Sequence, residues 1–149
     1  MQEHKNSILI IEDSDLNIRI LSDILGSDYI LHTALDGVEG VDKAKEVRPD
    51  LILLDIVLPK MDGYEVLKEL KEMNETKEIP VVIVTSLNEI DDERRGLQLG
   101  AADFINKPYD PITVRLRVDI QMRMIEQLRT ITMLSAEVAQ WLQGGPDKE

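Results

Sequence analysis

The chain has 149 residues, 43% hydrophobic and 31% charged, which suits one domain with a sizeable core plus one extra element. With no Cys it has neither disulfides nor thiolate metal sites, and a cytoplasmic location is the expectation. A formal net charge of −12 argues against a nucleic-acid partner. No apolar run reaches the ~18 residues of a membrane span, and the opening MQEHKNS has no signal-peptide core, so no membrane partner is expected either.

Five strand-like runs appear in chain order: SILIIED (7–13), YILHTAL (29–35), DLILLDI (50–56), IPVVIVTS (79–86) and ADFINKP (102–108). Helical spacing fills the gaps. Leu16, Ile20, Leu21, Ile24 and Leu25 form one stripe, closed by Gly26. Val38, Val41, Ala44 and Val47 form a second, closed by Pro49, and Tyr64, Val66, Leu67, Leu70 and Met73 a third. Residues 88–99 form a weaker fourth. The blocks at 8–11, 51–54 and 81–84 are unbroken aliphatic, the mark of strands buried on both faces. Five alternations of strand and helix with right-handed connections predict an α/β fold, a doubly wound parallel sheet.

The last helix should begin at Pro111 and continue through Val114, Val118, Met122, Ile125, Leu128, Ile131, Leu134, Val138 and Trp141. About 30 residues make roughly 45 Å, longer than such a sheet can cover. Its first half should pack on the sheet. Its second half, 126–143, should project as a linker or a homodimerisation segment, with 144–149 (GGPDKE) a disordered tail. Residues 112–143 hold Arg115, Arg117, Arg123 and Arg129 against Asp119, Glu126 and Glu137, so the acidity belongs to the body.

Ligands of open parallel sheets bind beyond the carboxyl ends of the strands, where the strand order reverses. The residues arriving there are Glu12 and Asp13, then Asp55, then Thr85 and Ser86, then Lys107 before Pro108. An Asp that interrupts an aliphatic block needs compensation, because an unpartnered buried carboxylate costs several kcal/mol. Three clustered acids repel unless a cation joins them, and an all-oxygen set suits Mg²⁺ or Mn²⁺. Lys107 and the Thr85 hydroxyl then suit phosphoryl oxygens, and a carboxylate can be the nucleophile that forms an acyl phosphate. No Gly-rich loop follows the first strand, which reads IEDSDLN, so a nucleotide site is rejected.

Glu12-Asp13, LLDIVLPKMDG at 53–63, VTS at 84–86 and GAADFINKPYDP at 100–111 together resemble the receiver domain of two-component response regulators, over roughly residues 7–125. The resemblance implies a CheY-like sheet of order 2-1-3-4-5 and a receiver domain within residues 1–125. It also implies phosphoryl transfer to Asp55 from a histidine kinase or phosphotransfer protein. Mg²⁺ would be held by Glu12, Asp13, Asp55 and the Val57 backbone carbonyl. Lys107, followed by a cis bond to Pro108, would contact the phosphoryl oxygens, Thr85 would move toward them, and Phe104 would swing inward to follow. Small Ser86 would leave the phosphate accessible. The readout face would be the helix at 88–99, the strand of Phe104 and the start of the last helix.

Val57 and Leu87, two residues beyond Asp55 and Thr85, are apolar where an amide or acid would orient an attacking water, so a phosphoryl lifetime of minutes or more is expected. The main competitor is a Mg²⁺-dependent phosphohydrolase of the haloacid-dehalogenase type, with Asp13-Ser14-Asp15 as its Asp-x-Asp. Asp15 as a helix cap and the misplaced Lys107 count against it. The other is a degenerate receiver used only for docking, against which the full set of acids, Thr and Lys stands.

Overall fold

A computed structural model describes residues 5–86 and 90–144. Five parallel strands, β1 (Ser7–Ile11), β2 (Ile30–Ala34), β3 (Leu51–Asp55), β4 (Val81–Thr85) and β5 (Asp103–Asn106), form one sheet in the order β2-β1-β3-β4-β5. Helices α1 (Asp15–Leu25), α2 (Gly37–Val47), α3 (Gly63–Glu72), α4 (Ile90–Gln98) and α5 (Pro111–Gly144) alternate with them. The expected α/β class and strand order are therefore found. Among the described residues no helix is long and apolar enough to cross a membrane.

The aliphatic blocks work on both faces because successive strand residues point oppositely. Leu9, Ile11, Ile52, Leu54, Val81 and Ile83 meet α2 and α3, whereas Ile8, Ile10, Leu51, Leu53, Val82 and Val84 meet α1 and α5. The helices start where short polar side chains accept the first free amides: Asp36 from Glu39, Asp62 from Glu65, and Asp110 from Thr113. For α1 the cap is Ser14, whose hydroxyl accepts from the Asn17 amide, so Asp15 is not the cap but the acid of the first turn.

Two stripes are narrower than their periodicity suggests. Leu16 and Val38 are exposed, because each sits in the first turn of its helix, at the rim of the sheet. In α5 burial ends with Val114, Val118, Gln121 and Met122, and from Leu128 onward the large apolar side chains are exposed. The helix is nonetheless continuous to Gly144, 34 residues or about 51 Å.

Candidate functional site

Parallel pairing brings the strand ends to one rim. Ile11 pairs with Leu54 and Asp55 with Val84, so Glu12, Asp55 and Thr85 follow one another across β1, β3 and β4. The order reverses between β1 and β3, where Glu12 and Asp55 meet. Lys107 follows β5, its amide donates to the Thr85 carbonyl at 2.9 Å, and its bond to Pro108 is cis. Gly63 lets the loop fold back over the end of β3. A Cβ there would stand 2.5 Å from the Asp55 carbonyl oxygen and from Ile56 Cα.

Glu12, Asp55 and Thr85 are buried while Asp13 is exposed. One carboxylate oxygen from each of Glu12, Asp13 and Asp55 lies within 4.8 Å of the others. The Lys107 ammonium donates to Asp55 Oδ2 at 2.8 Å and lies 3.0 Å from Glu12 Oε1. Glu12 Oε2 accepts from the Ser14 amide, and Asp55 Oδ1 accepts from the Val57 amide at 3.1 Å. One ammonium cannot balance three acids. Burial first, and then the hydrogen bond and charge of Asp55, push the Glu12 carboxyl up to about 7 against the pull of Lys107. Burial draws the Lys107 ammonium down, but its bonds to Asp55 and Glu12 outweigh that and its pKa is raised. A cluster of hard oxygens with excess negative charge fits Mg²⁺.

Of the residues singled out in the sequence, Glu12, Asp13, Asp55, Thr85 and Lys107 converge here. Ser86 is exposed beside them, Asp15 lies in the first turn of α1, and Leu87 falls outside the described residues. Phe104 sits apart, half-buried on the α3 side of the sheet. Its ring fills the notch left by Gly96 of α4, where a Cβ would be 2.6 Å from Phe104 Cζ and 2.7 Å from Ile83 Cδ1. Gly96→Ala gains helix propensity but crowds this contact, so it should cost about 1–2 kcal/mol net in urea unfolding. In a Phe104→Ala background part of that cost should disappear, the contact with Ile83 remaining; an equal cost in both backgrounds would show that the ring is not what Gly96 accommodates.

Three features escape a reading of motifs. The Tyr109 hydroxyl is buried and makes no hydrogen bond among the described residues; burial, then the charges of Glu12 and Asp55, push its pKa up. Tyr64 ties α3 to α4, its hydroxyl donating to the Asp92 carbonyl at 3.3 Å while the Arg95 guanidinium lies 4.1 Å from its ring centroid. Lys60, in a left-handed conformation (φ 69°), pairs with Asp36 at 3.2 Å. Only Tyr109 carried a signal, as an aromatic next to the Lys-Pro pair.

A family model described as the response regulator receiver domain matches residues 8–119. The chain belongs to this family. Receiver domains are signalling domains that bind Mg²⁺ at an acidic site and interact with histidine kinases or phosphotransfer proteins. The chain is 39% identical over 126 residues to the response regulator PleD of Caulobacter vibrioides, covering 82% of this chain but 28% of that protein. It is 43% identical over 103 residues to the polar-differentiation response regulator DivK of Brucella anthropi, covering 68% and 84%. Among solved structures, it resembles the receiver domain of a sensor histidine kinase from Pseudomonas aeruginosa, which has a magnesium ion coordinated in its active site cleft. The two share 28% identity with a TM-score of 0.73, over 83% of this chain and 99% of that one.

Proposed function

We propose that this receiver takes a phosphoryl group onto Asp55 from the phosphohistidine of a histidine kinase or phosphotransfer protein. The observation that carries the reading is Asp55 itself: a buried carboxylate at a strand end, grouped with Glu12 and Asp13 and bonded at 2.8 Å by Lys107. A carboxylate oxygen of Asp55 attacks phosphorus, the phosphorus–nitrogen bond breaks, and the imidazole leaves with the electron pair. Mg²⁺ would supply charge neutralisation for the phosphoryl oxygens, held by Glu12, Asp13, Asp55 and the Val57 carbonyl; Mn²⁺ would accept the same donors. Lys107 exchanges its bond to Asp55 for one to a phosphoryl oxygen, and the Thr85 hydroxyl approaches another.

The outcome is a shift in population. A state with Thr85 drawn inward and Phe104 following binds the phosphoryl group better and becomes dominant. α4, β5 and the start of α5 then present a changed surface to a protein partner. Residues 1–125 form the receiver, and 126–143 are a projecting continuation of α5 that serves as a linker or a homodimerisation segment.

Intact mass after incubation with acetyl phosphate and Mg²⁺ tests this. One added phosphoryl group is expected, absent in Asp55→Asn and without Mg²⁺, and persisting for minutes or more because Val57 and Leu87 are apolar. Unchanged uptake in Asp55→Asn would place the acceptor elsewhere, and steady release of phosphate from a monoester would favour the phosphohydrolase.

A further inference from the structure

We infer that the projecting part of α5 is a self-association seam whose occupant is a second copy of this chain. Met124, Leu128, Ile131, Ser135, Val138 and Leu142 recur in steps of four and three, the spacing of a left-handed supercoil rather than of a helix lying on a sheet. All but Ser135 are large and apolar, and each of those five is more than half exposed. The flanks are free of charge: Ile125, Thr132 and Ala139 on one side, Gln127, Leu134 and Trp141 on the other. No like charges therefore meet when the seam pairs with itself.

Two charged residues of this stretch bond to the body instead. Glu126 accepts from the Asn6 side chain at 3.2 Å, and Arg129 donates to Asn6 and to Asp50. These bonds hold the helix against the base of the body while the seam side chains stay exposed. Where the seam meets the body it opens into an apolar groove of about 820 Å³ between Ile79, Pro80 and Ala102 and the seam residues Met124, Leu128 and Ile131. A second helix following the seam fills this groove as well. Seven exposed side chains from each copy (the five of the seam with Leu134 and Trp141) supply on the order of 1,000 Å² of apolar contact, the size at which a specific interface begins.

The inference rests on the reading of 126–143 as a projecting segment, and it is independent of phosphoryl transfer. Sedimentation equilibrium of the full chain should show reversible self-association. Trp141, the single Trp, is 59% exposed, so its emission should shift to shorter wavelength as concentration rises. Ile131→Glu and Val138→Glu should each abolish both signals, while Ala136→Glu, off the seam, should keep them. A chain that stays monomeric at the highest soluble concentration overturns the inference, and so does an assembly that survives both seam substitutions. Phosphoryl uptake by Ile131→Glu, read by intact mass, separates this result from a failure of the receiver itself.

Discussion

Lys107→Met should lower the melting temperature of the Mg²⁺-free protein at pH 8 by on the order of 10 °C, the equivalent of about 3–5 kcal/mol. Lys107 is the only ammonium that reaches Glu12 or Asp55 among the described residues, and both carboxylates are buried. Removing one partner of a buried pair leaves the other charge unbalanced, and here it leaves two. Two outcomes should accompany the loss. At pH 5 it should shrink, because Glu12 is then protonated and asks for no partner. Saturating Mg²⁺ at pH 8 should restore much of it, because the ion returns positive charge to the same oxygens. Lys60→Met is the control. Its ion pair with Asp36 joins a lysine that is 67% exposed, and such pairs contribute little. Equal melting of Lys107→Met and the parent at pH 8 would mean that the 2.8 Å contact with Asp55 balances no charge that matters.

The strand ends were legible because buried parallel strands leave an unmistakable trace. LILL at 51–54 and VVIV at 81–84 tolerate nothing polar until they end, so the residue that ends each block is placed on the rim. Glu12, Asp55 and Thr85 stand out in this way, whereas Lys107 follows the partly exposed strand DFIN. Contacts between elements left no such trace. Nothing local in RRGLQLG shows that Gly96 faces Phe104, since a glycine in a helical stretch reads equally as a weak position. The exposure of Leu16 and Val38 was hidden for a similar reason. Periodicity identifies the face of a helix but not how far the sheet extends beneath it. The cap of α1 went to Ser14 and not Asp15 because two good capping residues stand side by side, and backbone geometry alone chooses between them.

Which of the three clustered acids takes up a proton was beyond the sequence, and it leads to the second large effect: Mg²⁺ should bind roughly tenfold more tightly at pH 8 than at pH 6. The Glu12 carboxyl is pushed up to about 7, first by burial and then by Asp55, so at pH 6 it is mostly protonated, and the ion must displace that proton. Isothermal titration at pH 6 in buffers of different ionisation enthalpy should register release of nearly one proton per Mg²⁺, and almost none at pH 8. The same shift sets the stability of the Mg²⁺-free protein. A carboxyl with a folded pKa above its unfolded value contributes stability that is complete below the unfolded value of 4.5 and is lost as pH rises toward about 7. The loss amounts to about 3 kcal/mol and levels off above that pH. Glu12→Gln should flatten this slope, weaken Mg²⁺ binding and remove its pH dependence. Mg²⁺ affinity that is level from pH 6 to pH 8 with no proton released would show that Glu12 is already ionised beside Asp55, and that Lys107 alone suffices to hold two buried carboxylates in their charged form.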